Sequence, residues 1–255
     1  MKIFADGISK GSGGIPLPMT SVQYESGRVS VAEAEVGDHP TVLALVLSGR
    51  MVPDTGTVLI DGADDPGLLA ERVALVDAPD VSEPAADLSL RAVVKEELMF
   101  AGRSTSRDAV ARTIAEAVSL TGGLEPGIDW ARVRIADVPA ALRIRLLAEL
   151  ASFRRGVQGL VLASPDRHGG DPRDWYAIAE ELARRDFAVA VVCGRASTLV
   201  LEPLLTDPLR IDAVPAAAAA AAPPAPTAPS AASPAPAPTA PALPETLQLT
   251  KELDA

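Results

Sequence analysis

The sequence contains a single cysteine, Cys193, and two histidines, His39 and His168, among 255 residues. One cysteine excludes an internal disulfide and a cysteine-built metal cluster. Two histidines argue against a histidine-based metal site as well. Aromatic residues make up only 3% of the chain. In a chain this acidic, Trp130 and Trp175 read as packing anchors rather than as a platform for stacked bases. Positive charge is in deficit: the net charge is −11, which argues against nucleic acid or an anionic membrane as a direct partner and for a soluble surface. No apolar run of about 18 residues occurs outside an alanine stretch that prolines interrupt, so no direct membrane insertion is expected. Met1–Asp6 has no apolar segment of the signal-peptide kind, so a cytoplasmic protein is expected.

What is present is a chain of 48% apolar residues, organised around residues 27–62. Gly27-Arg-Val-Ser-Val-Ala-Glu33 reads as a short strand of β-branched character. After a loop with one glycine, Pro40–Ser48 is almost wholly apolar and is closed by Gly49. Proline near the start and glycine just past the end predict a helix. The lack of a polar face predicts that it is buried. Strand, loop and buried helix is also the layout of a phosphate-binding loop.

Before this stretch, residues 1–26 suggest edge strands and loops, with Ser21–Tyr24 as a short apolar piece. After it, Thr57–Ile60 is expected as a strand ending at Asp61-Gly62, a hairpin-type signal. A helical turn is expected at Leu68–Arg72 and a buried strand at Arg72–Val76. Helical spacing recurs over Ser89–Gly102, Ser106–Leu120 and Ala140–Phe153, the last with Arg143, Arg145 and Glu149 directed outward. Gln158–Ala163 and Phe187–Val192 are continuous apolar runs, as in parallel strands, and flank a helix over Asp174–Arg185. Strands alternating with helices predict an α/β fold with a mostly parallel sheet, an antiparallel N-terminal β part and a helical insertion.

Residues 1–212 are expected as one domain, with the helical insertion at about 88–153. Residues 213–244 are rich in alanine and proline, which favours extended polyproline-like structure and a disordered linker. Residues 245–255 form a short segment in which Leu249 and Leu253 share a helical face. Several polar groups invite a chemical reading. His168 with Asp166 and Asp171 has the composition of a polar loop after a strand as much as of a catalytic or metal site. Ser164 lacks the glycine-flanked elbow of a nucleophile. Cys193 reads as a small buried hydrophobe, and Glu96-Glu97 as a solvated helix face.

In order and spacing, residues 1–200 resemble the ATP-binding cassette of ABC transporters, a P-loop NTPase-like fold. Ser48-Gly-Arg-Met-Val-Pro-Asp-Thr-Gly-Thr-Val-Leu-Ile-Asp-Gly62 is the most specific piece, similar to the segment that follows that family's phosphate loop and first helix. Leu88-Ser-Leu-Arg-Ala-Val-Val-Lys-Glu-Glu-Leu98 resembles the helix start after its Q-loop. Gly159-Leu-Val-Leu-Ala-Ser-Pro165 resembles its strand ending in Asp-Glu-Pro, and Arg143 and Arg145 fall where arginines follow the signature sequence.

The working residues that the resemblance implies are mostly replaced. Aligned to GxxGxGK[ST], the loop falls on Ala34 to Thr41, and only Gly37 and Thr41 match. These two are the remnant nucleotide-contacting positions. Pro40 stands at the lysine position, removing a cation and a backbone donor; each charge-assisted hydrogen bond so lost costs about 1.5–3 kcal/mol. Glu35 and Asp38 would repel a polyanion, whereas Asp38 can cap the helix and Pro40 fits its first turn. The Q-loop glutamine falls on about Asp77, and the signature glycines fall within Val138-Pro-Ala-Ala-Leu142. The magnesium-positioning aspartate and the water-polarising glutamate fall on Ala163 and Ser164, and the switch histidine on Gly194.

The resemblance thus implies a degenerate cassette: a pseudo-ATPase with no cofactor, acting through contact with a membrane permease or a partner cassette at the inner face of the membrane. Two alternatives remain. One is an ATPase subunit with weak binding of ATP and magnesium, as the degenerate half of a heterodimer. The other is a soluble adaptor that uses its C-terminal tail.

Overall fold

The computed structural model describes residues 1–35 and 39–205. Gly37 and Asp38 lie outside the described residues, as do the linker at 213–244 and the segment at 245–255.

The N-terminal part forms a three-stranded antiparallel sheet from β1 (Lys2–Lys10), β2 (Leu17–Glu25) and β4 (Thr55–Ile60), in the order β2-β1-β4. The expectation of edge strands and loops is corrected here: β1 is the central strand, paired on both sides. Its interior alternates, with Ile3 and Ala5 buried between exposed neighbours, which is the period of a sheet with one wet face.

The second sheet is parallel. It comprises β3 (Val29–Glu33), β5 (Val73–Val76), β6 (Gly159–Ala163) and β7 (Ala188–Cys193), in the order β3-β7-β6-β5. The last three are buried at every position, which is why they read as continuous apolar runs. Alternate residues serve two separate cores. Leu75, Val161, Ala163, Ala190 and Val192 face one, with the antiparallel sheet on its far side. Val76, Leu160, Leu162, Val189 and Val191 face the other, filled by helices.

Helix α1 (His39–Leu47) belongs to the first core and buries Val42, Leu43, Ala44, Val46 and Leu47. Its largely apolar character follows from packing among the residues of both sheets. The Tyr24 hydroxyl donates to the Leu47 carbonyl at 2.7 Å, satisfying one of the acceptors that a helix C-terminus leaves open. Gly49 follows at φ 72°, as the helix-stop reading of that glycine requires.

The Asp61-Gly62 turn forms, with Ile60 and Ala63 exchanging both backbone hydrogen bonds at 2.8 and 2.9 Å, but no second strand follows it. Asp65 instead caps α2 (Pro66–Arg72) by accepting from the Leu68 N–H. The helical side of the parallel sheet holds α3 (Leu90–Phe100), α4 (Arg107–Leu120), α5 (Ala140–Ser152) and α6 (Pro172–Arg184). Ser89 and Ser106 cap α3 and α4 through their hydroxyls. A short α7 (Arg195–Leu201) follows β7, and the sequence reading missed it. Trp130 and Trp175 are both buried in the helical core, the packing role expected of them.

The outward placement of Arg143 and Arg145 on α5 is also corrected: both are buried. Their charges are met by other parts of the chain. Arg145 Nη1 donates to Glu181 of α6 at 2.6 Å, and Glu149 receives Arg185 from beyond the same helix. Glu97, read as solvated, is half-buried and holds Arg154 at 2.7 Å.

Candidate functional site

The carboxyl ends of β5, β6 and β7 gather the polar residues of the domain. This is the edge where an open parallel sheet presents its loops to a ligand.

Asp77 follows β5 directly, in the left-handed region at φ 56°, and its residue is only 2% exposed. Arg143, one turn into α5, donates to it through a fork: Nε to Oδ2 at 2.9 Å and Nη2 to Oδ1 at 2.8 Å. Arg143 Nη1 donates to the Ile135 carbonyl at 3.1 Å, and Nη2 reaches Glu83 at 3.2 Å. From beyond β6, Arg167 Nη2 lies 3.2 Å from both Asp77 and Glu83. His168 Nε2 lies 2.9 Å from Asp77 Oδ2. Burial alone would raise the Asp77 carboxyl, but the hydrogen bonds from Arg143 and His168 and the charges of Arg143 and Arg167 outweigh it. They hold the group well below the usual carboxylate range.

Asp77, Glu83 and His168 each offer a ligand atom, all within 4.8 Å of one another. Two guanidinium groups already stand against these carboxylates, so the local charge a cation would supply is present in the side chains.

The neighbouring loops are closed in the same way. Ser164 follows β6 at φ 48° and leads into the turn Pro165–His168. Asp166 Oδ2 accepts from the Gly194 N–H at 2.8 Å and lies 3.2 Å from the Ser197 hydroxyl. Glu35 Oε1 accepts from the Arg195 N–H at 2.8 Å. Two carboxylates thus sit on the first backbone donors of α7. Asp171 caps α6 through the Arg173 N–H. The group His168, Asp166 and Asp171 is therefore divided among three tasks and forms no joint site.

Pro40 and Thr41 are the second and third residues of α1, both half-buried, and Gly37 lies outside the described residues. Ala163 is the last, buried residue of β6, and Gly194 is the residue before α7. Across Val138–Leu142, Pro139 precedes α5, while Val138 and Leu142 are buried in the helical core. The Cys193 thiol is buried at the end of β7 and is pushed up to about 12, mainly by that burial, so it is a packed hydrophobe and not a nucleophile. Ser164 holds no base within its hydrogen bonds among the described residues.

No protein-family model and no curated sequence matches the chain. Solved structures do match it. A putative ABC transporter ATP-binding protein from Pyrococcus furiosus superposes with a TM-score of 0.53 at 13% identity, over 76% of this chain and 92% of that one. The chain has the ATP-binding-cassette fold. A nucleotide-free cassette from an ABC transporter gives a TM-score of 0.55 at 14% identity, over 80% of this chain and 85% of that one. A Clostridium perfringens chain, described as part of an ABC transporter complex, gives 0.52 at 16%, over 75% and 77%. The mixed parallel and antiparallel cassette expected from the motif order is thereby borne out as a fold.

The pairing of Asp77 with Arg143 was not anticipated. The sequence places Asp77 at the Q-loop position, and Arg143 both on the outward face of a helix and where arginines follow the signature sequence. A basic residue among the buried positions of α5, 66 residues from the acid it meets, was the signal available.

Proposed function

We propose that this cassette-fold protein binds no nucleotide and works through protein–protein contact, with a membrane permease or a second cassette subunit as the partner, on the cytoplasmic side. The observation that carries the reading is the network around Asp77. The carboxyl end of the parallel sheet, where a cassette would hold magnesium and phosphate, is occupied by Arg143, Arg167 and His168 paired to Asp77 and Glu83.

The residues present do not suit magnesium and ATP. Ala163 and Ser164 offer no carboxylate to a metal or a water. Pro40 provides neither a cation nor a backbone donor in the first turn of α1. Asp166 and Glu35 place negative charge where a phosphate would need donors. Thr41 alone keeps a side chain that could touch a metal, and its place in the first turn of a helix accounts for it structurally.

A contact role is supported by apolar side chains left at the surface. Val81, Met99 and Phe100 are each more than half exposed. Val81 and Phe100 line a cleft of about 470 Å³ whose walls also include Arg50, Glu96 and Arg154. Such a grouping suits another protein better than water.

Co-purification of the tagged full chain from its native cells tests the contact half: a stoichiometric membrane permease or cassette subunit is expected, and recovery of the chain alone contradicts it. The same preparation tests the alternative of a degenerate heterodimer half, since ATPase activity that appears only with the partner would establish that reading.

A further inference from the structure

Two stretches far apart in sequence meet at the Asp77 network. Residues 78–89 form a compact loop: the Ala78 carbonyl accepts from the N–H groups of Val81, Ser82 and Glu83, and the Ser82 hydroxyl accepts from the Ala78 N–H. Residues 133–138 lie against it like a short ribbon. Leu90 N–H donates to Val133 at 2.8 Å, Ile135 N–H to Leu88 at 2.8 Å, and Ala136 N–H to Ala86 at 3.3 Å. Each stretch is tied to the sheet through the same guanidinium. Arg143 reaches the ribbon at the Ile135 carbonyl, the loop at Glu83, and the sheet at Asp77. Arg167 and His168 anchor the far side of Asp77 to the end of β6.

The geometry points to a clasp: Asp77 is the pin that holds the loop 78–89 and the ribbon 133–138 against the carboxyl end of the parallel sheet, and the two open together as one unit when the pin is drawn. Three features set this arrangement apart from an ordinary buried ion pair. Asp77 satisfies both carboxylate oxygens from partners on two different elements, so each oxygen bridges α5 and the end of β6. Its left-handed backbone turns the chain sharply out of β5, so the loop begins at the pin itself. The Ile135 N–H donates to the Leu88 carbonyl across the loop–ribbon seam, so freeing one side withdraws a partner from the other. Glu83 and Asp77 also line the cleft of about 470 Å³, so the clasp sets the form of one of its walls. The inference does not depend on whether nucleotide binds, and the two can fail separately.

The experiment is hydrogen–deuterium exchange of the full chain followed by peptide, comparing the native protein with Asp77→Asn and with Asp77→Asn/Arg143→Met. In Asp77→Asn, exchange in 78–89 and 133–138 is expected to rise together, at least ten-fold, with peptides from β6 and β7 rising only as the lower global stability requires; in the double variant β6 and β7 should return toward native rates. The double variant removes the stranded guanidinium and should recover global stability, yet both segments should stay fast because the pin is still absent. In the double variant, a rise in only one segment, an equal rise across β6 and β7, or no rise at all overturns the proposal. Should Asp77→Asn fail to fold, Glu83→Gln, at the exposed side of the network, gives the same readout. A smaller rise confined to both segments is then expected, and any other pattern overturns the clasp.

Discussion

Arg143 on α5 meets Asp77 at the end of β5 through two parallel hydrogen bonds, Nε to Oδ2 at 2.9 Å and Nη2 to Oδ1 at 2.8 Å, with both residues buried. A fork of this kind is strong in place and costly to break from one side, because the remaining charge has lost both its water and its partner. Asp77→Asn should therefore destabilise the domain by about 3–5 kcal/mol. Replacing both partners, as in Asp77→Leu/Arg143→Met, should cost less than either single change. Denaturant unfolding of Asp77→Leu, Arg143→Met and the double variant measures this, and an additive double variant would contradict it.

The same carboxylate fixes the acid limb of stability. Its folded value lies well below the usual range, so its contribution is fully present above about pH 4, the ordinary aspartate range. It is lost as the pH falls toward the group's own lower value. The stability difference between the native protein and Asp77→Asn should be constant from neutral pH down to about pH 5 and shrink below about pH 4. Urea titrations at stepped pH give the comparison, and a difference that vanished already near neutrality would be inconsistent with the buried pair.

Tyr24 is fully buried and its hydroxyl is held by the Leu47 carbonyl at 2.7 Å. Tyr24→Phe leaves that carbonyl without its partner in a dry core and should cost about 1–3 kcal/mol. Thermal unfolding measures the loss, with no change expected in the far-ultraviolet circular dichroism.

Gly49 adopts φ 72°, and a Cβ there would lie 2.8 Å from backbone atoms of Pro66 and Ala70 in α2. Gly49→Ala combines a left-handed penalty with a clash against rigid backbone. A loss of more than about 1 kcal/mol is expected. An unchanged midpoint would mean that α2 yields at little cost.

Cys193 should resist alkylation. Its thiol is buried and pushed up to about 12, so at pH 8 labelling should follow global unfolding rather than thiol ionisation. A maleimide time course, with and without denaturant, distinguishes the two.

The elements legible in the sequence are those whose burial is uniform. The runs of β6 and β7 are buried at every position and α1 buries most of its apolar residues, so composition alone marks them. Helix α5 misled because amphipathic spacing assumes that an arginine seeks water. Arg143 and Arg145 are buried because Asp77 and Glu181 reach them from other elements, and a pairing across 66 residues has no local signature. The antiparallel sheet was underread for a related reason. β1 is central only because β4, far along the chain, pairs with its second edge. Asp61-Gly62 formed its turn, but the chain beyond it found the Asp65 cap more favourable than a returning strand. Of the two remnant phosphate-loop positions, Thr41 lies within α1 and Gly37 lies outside the described residues.

Titration of the purified full chain with ATP and magnesium in a calorimeter, paired with a phosphate-release assay, tests the central claim most directly. With Asp77 and Glu83 already matched by Arg143 and Arg167, and with Pro40 in the first turn of α1, no heat of binding at millimolar nucleotide and no turnover above buffer are expected. Binding in the micromolar range together with magnesium-dependent phosphate release would contradict the account.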